Sequence, residues 1–105
     1  MTPEQRKRKI DSLYRADQTM LEKKGNDYAP GEDCLTNLRE FGFMGVVVRL
    51  TDKFSRLKCF VREGHLMVKD ETIRDTLSDA RNYLFLAEIL LDEEQKKIGL
   101  EKKEG

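Results

Sequence analysis

Apolar and polar positions along this chain fall into helical stripes separated by short glycine-marked breaks. Thr2, Pro3 and Gln5 supply an N-cap, a proline at the first helical position and a capping-box partner three residues after the cap. Ile10, Leu13, Tyr14, Met20 and Leu21 then keep to one side of a helix, with Asp17 the one polar break, and Gly25 stops it. A first helix over 3–24 is predicted. The following GNDYAPG, Gly25 to Gly31, holds two glycines and a proline and reads as a loop. Glu32 or Asp33 is placed to cap a short second helix whose Leu35, Leu38 and Phe41 face inward and which Gly42 ends.

Val46, Val47 and Val48 are β-branched and, taken alone, suit a buried strand over 46–50. The longer window favours a helix. Val47, Leu50, Phe54, Leu57 and Val61 repeat at three and four residues, with Lys53, Arg56 and Arg62 between them and Gly64 closing the run. After a loop through His65 and Leu66, Asp70 reads as an N-cap with Glu71 in the first turn. Ile73, Leu77, Ala80, Leu84, Ala87 and Leu91 form the stripe of a last helix that persists to Gly99, ahead of a charged, frayed tail over 100–105. Phe85, Leu86, Ile89 and Leu90 carry the apolar surface round the helix, which predicts an enclosed carboxyl half. The expected fold is all-α: one domain over 1–105, a bundle of three longer helices plus one short helix. So few helices cover each other poorly, so self-association, most simply as a dimer, is expected to complete it.

The chain has 105 residues, of which 38% are charged and 38% apolar, so a single core is affordable but not a second. Twenty Lys plus Arg balance twenty Asp plus Glu. No global field then draws in nucleic acid, although a local patch stays possible. Cys34 and Cys59 fit no metal-ligand spacing and, with His65 the single histidine, read as reduced and structural. The segment 1–9 is polar and basic with no apolar stretch behind it, so neither a secretion signal nor a membrane span is expected, and the location expected is cytoplasmic.

The chemistry-bearing pattern is an acidic ladder. Glu71, Asp75 and Asp79 stand four residues apart and rise along one face of the last helix by about 6 Å per step, with Asn82 continuing that face. Carboxylates so spaced repel, and cations, solvent or a metal must offset the repulsion. One reading is the wet side of an amphipathic helix. The other is a cleft in which the carboxylates hold Mg²⁺ or face Arg and Lys. Asp52, Lys53 and Arg56 are the candidate companions, either as an ordinary intrahelical ion pair or with Asp52 joining a metal cage while Lys53 and Arg56 hold phosphate oxygens. Lys24, Asp27 and Tyr28 sit at the glycine loop, where the tyrosine can stack on a base or pack the loop down. His65 lacks partners for general-base work, and no nucleophile elbow, phosphate-cradling glycine loop or zinc pattern is present.

These residues resemble a known family, the phage-associated nucleotide modification associated domains. The resemblance rests on KGNDYA at 24–29, Asn37, RLTDKFSRL at 49–57 and KDETIRDTLSDARNYL at 69–84, which cover most of the chain in order. That family is in turn similar to the all-α, MazG-like nucleotide pyrophosphohydrolases, whose helix-borne carboxylates bind Mg²⁺ around a nucleoside triphosphate. The resemblance implies a nucleotide partner, metal ligands at Glu71, Asp75 and Asp79, catalytic roles for Asp52, Lys53 and Arg56, and nucleotide contacts from Lys24, Asp27, Tyr28, Asn37 and Asn82. This chain departs from the MazG pattern, because neither ExxE in its third helix nor ExxD in its fourth is present. The expected function is therefore a Mg²⁺-dependent nucleoside triphosphate pyrophosphohydrolase in a bacterial or phage-infected cell. The alternative is a non-catalytic helical interaction module in a nucleotide-modification complex.

Overall fold

The structure, a computed structural model, describes residues 1–24, 31–65 and 72–104, with side chains as far as residue 99. Among these residues the chain is helical, with no strand: α1 is Pro3–Lys24, α2 Thr36–Glu63 and α3 Ile73–Glu104. Two compact units result, Met1–Cys34 and Leu35–Gly105.

The first unit is α1. Thr2 donates its N–H to Gln5 Oε1 at 2.8 Å and Gln5 returns an N–H to Thr2 Oγ1 at 3.1 Å. These bonds satisfy orphan donors of the first turn, so the helix starts where the capping box predicts. Lys23 and Lys24 close it, favourably placed against the negative end of the helix dipole.

The second unit is an antiparallel hairpin of α2 and α3. Its core is Val46, Leu50, Ala80, Ala87 and Leu90, with Leu38, Phe43 and Tyr83 packed against it. In α2 the seam positions run 43, 46, 50, 53, 57 and 60, and in α3 they run 76, 80, 83, 87, 90 and 94. Both are alternations of three and four residues, the spacing by which two helices keep one seam between them. The valine run 46–48 lies within α2, so the helical window prevails over β-propensity.

Four expectations change. The expected short second helix and third helix are one element, α2, broken at Gly42, where φ is 66° and ψ −162°. A glycine can leave helical geometry sharply without ending the helix beyond it, and the hairpin contacts on both sides hold the two pieces as one element. Neither Glu32 nor Asp33 is the cap of α2, because Leu35 occupies that position with no side-chain cap bond. Thr72, not Asp70, caps α3, which starts at Ile73. At its other end α3 continues through Gly99 to Glu104, so 100–104 is helix and not a frayed tail.

The stripes also turn. Leu50, Ala80 and Ala87 are buried as predicted, whereas Val47, Phe54, Val61, Leu77 and Leu84 are exposed. Phe41, Phe85 and Ile89 are exposed as well, so the carboxyl half of α3 is enclosed only along Ala87 and Leu90. The reason is geometric: one partner helix covers a narrower arc than the width of these apolar stripes.

Two local devices position the hairpin. Next to the break at Gly42, the Phe43 N–H donates to Glu94 Oε1 of α3 at 3.3 Å. Just before the break, Arg39 grips Glu93 through Nε and Nη2 at 3.0 and 2.8 Å. At the far end Gly64 adopts a left-handed conformation, φ 77°, and its N–H donates to Phe60 O at 2.8 Å, which terminates α2.

Candidate functional site: a charged face on the hairpin

The register of the hairpin brings the expected site residues together in part. Lys53 Nζ lies 3.1 Å from Asp79 Oδ2, joining the middle of α2 to the second turn of α3. One turn further along, the Arg49 guanidinium lies 6.0 Å from the centre of the Tyr83 ring, at the reach of a cation–π contact. The antiparallel register then sets Arg56 level with the first turn of α3.

A single rule explains which side these residues occupy. Arg49, Asp52 and Arg56 each precede a seam position of α2, and Asp75, Asp79 and Asn82 each precede a seam position of α3. One residue is a rotation of about 100°, and in antiparallel helices the same rotation sends both sets to the same side of the hairpin. Acids and bases therefore share one face.

Each described carboxylate on that face has a defined partner. The Lys53–Asp79 pair is largely withdrawn from water, with 12% and 18% of the two side chains exposed. Asp52 Oδ2 pairs with Arg56 Nε at 3.3 Å across one helical turn, and this pair is wetter. Asp75 serves α3 itself. Its Oδ2 accepts the Thr72 N–H and hydroxyl at 3.0 and 2.9 Å, while the Asp75 N–H donates to Thr72 Oγ1 at 3.1 Å. This is a capping box with aspartate in the place of glutamate.

Asn82 is buried, and so is Thr76, whose hydroxyl donates to Thr72 O at 3.4 Å. The seam beside the charged face is thus polar at the start of α3 and apolar further along.

The remaining expected residues divide. Asn37 is exposed in the first turn of α2, about four turns before Lys53 and across the Gly42 break, so it is not brought to the pair. Lys24 ends α1 in the first unit. Asp27, Tyr28 and Glu71 lie outside the described residues. His65 is exposed, with Nδ1 3.1 Å from Glu63 O, as a surface histidine should be. Cys34 and Cys59 are free thiols. Among the described residues no group of three or more His, Cys, Asp or Glu is placed to hold a metal ion, and no helix is long and apolar enough to cross a membrane.

Arg49 and Tyr83 fall within the stretches 49–57 and 69–84, whose resemblance implies no role for either. The signal was present: Arg49, Lys53 and Arg56 step by four and three, as cations on one helix face must. Comparison with family models, with curated proteins and with solved structures gives no match.

Proposed function

We propose that this chain is a nucleotide-handling domain of the MazG-like kind its motifs resemble: a cytoplasmic, homodimeric, Mg²⁺-dependent nucleoside triphosphate pyrophosphohydrolase. The observation that carries the reading is the Lys53–Asp79 pair, held at 3.1 Å and largely out of water between two helices. A cation and a carboxylate in such a place cost desolvation, and a site that must take phosphate and metal together gives that cost a use.

The face is balanced, with Arg49, Lys53 and Arg56 against Asp52, Asp75 and Asp79. A polyphosphate approaching it meets carboxylates as well as cations. Carboxylates beside cations are the groups that a Mg²⁺–phosphate complex would need, because that ion is ordinarily held by one or two carboxylates together with substrate phosphates. The oxygen-only donor set fits: Asp79 and Asp75 would hold the ion, with Glu71 the third ligand expected from the ladder. When bound, the ion would neutralise phosphate charge and polarise a phosphoryl oxygen. Lys53, released from Asp79, holds a phosphate oxygen, and Arg56 stabilises charge on the leaving pyrophosphate. Arg49 stacks on Tyr83 and orders that edge of the face.

The test is pyrophosphate release from a panel of deoxynucleoside and nucleoside triphosphates with Mg²⁺. Activity is expected that Lys53→Met and Asp79→Asn each reduce at least about a hundredfold, the scale of a lost charge contact to a transition state. An Arg39→Ala control on the remote pair should keep it. Absence of turnover on every nucleotide overturns the enzymatic reading.

A second reading has an observation of its own. The acids Asp52, Asp75 and Asp79 interleave with the bases Arg49, Lys53 and Arg56 on one face, as a polar protein–protein interface requires. Thermal melting separates the two: a nucleotide with Mg²⁺ at a hundred times its Kd adds about 2.7 kcal/mol, and a flat response favours the interaction module.

A further inference from the structure

The zero net charge of the chain hides a division. α1 carries seven Lys plus Arg against four Asp plus Glu, and the residues after it carry thirteen against sixteen. The excess is concentrated in Arg6, Lys7, Arg8 and Lys9, four cations in succession within the first two turns of α1. Consecutive residues are about 100° apart on a helix, so these four point to every side of it.

Local energetics oppose that placement. Cations so close repel one another, and Arg6 lies in the first turn, at the positive end of the helix dipole. Among the described residues none of the four has an ion-pair partner, although Glu4 and Asp11 stand in adjoining turns. Residues 1–12 are all exposed, so this part of α1 has no packed face and is held by its capping box and by the helix that follows. Its charge is left to be neutralised by anions from outside, which a polyanion would replace and release.

We propose that the first turns of α1 bind the phosphate backbone of a nucleic-acid duplex. Arg6 to Lys9 place one positive charge per about 1.5 Å of helix axis. A DNA duplex carries one negative charge per about 1.7 Å, so the two densities match with opposite sign. Ile10 is the single large apolar side chain over 3–12. That is too little for a lipid interface, which takes up a whole apolar face, and too little for the core of a protein interface, where Lys is depleted. Cations on every side suit phosphates standing on both flanks of a groove, and such contacts position a protein without reading sequence. None of the residues assigned to the nucleotide takes part, so the two sites are tested separately.

Fluorescence anisotropy of labelled DNA and RNA duplexes of one sequence, titrated with the full-length chain at several salt concentrations, tests the proposal. Binding of either duplex supports it, and the tighter of the two names the source of the phosphate. On DNA the logarithm of affinity should fall with the logarithm of salt concentration at a slope of about −3.6, for four phosphate contacts. Arg8→Gln combined with Lys9→Gln should weaken binding at least about tenfold at about 0.1 M salt and reduce the steepness by about 1.8. Helical circular dichroism should be retained, because both side chains are exposed and glutamine is a good helix former. Arg8→Lys, which keeps the charge, should bind like the wild type. Lys96→Gln combined with Lys97→Gln, an equal loss of exposed charge in α3, should change affinity by less than about twofold. No binding by the wild type at about 50 mM salt, or an equal loss in the two double variants, would overturn the proposal. So would equally tight binding to polyglutamate or to vesicles of phosphatidylserine and phosphatidylcholine in equal parts.

Discussion

At Gly42 a single methyl group should cost much for its size. Its φ of 66° and ψ of −162° fall in a region that glycine alone occupies readily. A Cβ added there would lie 3.0 Å from Glu94 Oε1, the oxygen that accepts the Phe43 N–H. In Gly42→Ala the backbone term is about 1–3 kcal/mol, and disturbing the Glu94 bond adds about 1 kcal/mol. The reduced freedom of the unfolded chain returns about 0.4–1 kcal/mol. The net expectation is a destabilisation of about 2 kcal/mol, which for a domain of this size lowers Tm by roughly 10 °C. Urea and thermal melts followed by far-ultraviolet circular dichroism measure it. The steric part has its own check, because in a Glu94→Ala background the alanine at 42 should cost about 0.5–1 kcal/mol less. An alanine variant as stable as the wild type would mean that α2 straightens at no penalty. The break would then not be a built feature of the hairpin.

Two further perturbations probe the ends and the middle of the hairpin. Thr72→Ala removes the hydroxyl that both accepts from and donates to Asp75, and should lower stability by about 1 kcal/mol in urea unfolding. No change there would argue that Asp75 does not serve the cap. Lys53→Met removes the cation 3.1 Å from Asp79 in a seam that is mostly dry, and should destabilise by about 1–3 kcal/mol, discounted from the fully buried case because both side chains keep some water. Arg39→Ala, which breaks a pair with 39% and 43% of its side chains exposed, should cost at most about 1 kcal/mol in the same melts. Equal costs for the two variants would mean that burial does not distinguish these pairs.

Much of the fold follows from local signals that act over one or two turns. The capping box of Thr2 and Gln5, the glycine stop at 64 and the three-and-four spacing through 46–61 each depend on neighbours in sequence. Helix type and the start of α1 were therefore legible without a partner. The same locality explains the failure at α3: Asp70 and Thr72 are both N-cap residues by type, and only the bonds to Asp75 choose between them.

Tertiary structure decided the rest. Periodicity defines an apolar stripe to within its own width, and which arc becomes core depends on where the partner helix lies. Leu50 and Ala80 consequently went inside, while Val61 and Leu84 stayed out. The acidic ladder shows the same division. Spacing placed Asp75 and Asp79 on one face of a helix, yet the hairpin register alone brought Lys53 to Asp79, and a threonine three residues upstream drew Asp75 into a cap. Sequence spacing determines the direction of a side chain along its own helix. What that side chain meets is set by contacts between residues far apart in the chain, here 26 positions for Lys53 and Asp79.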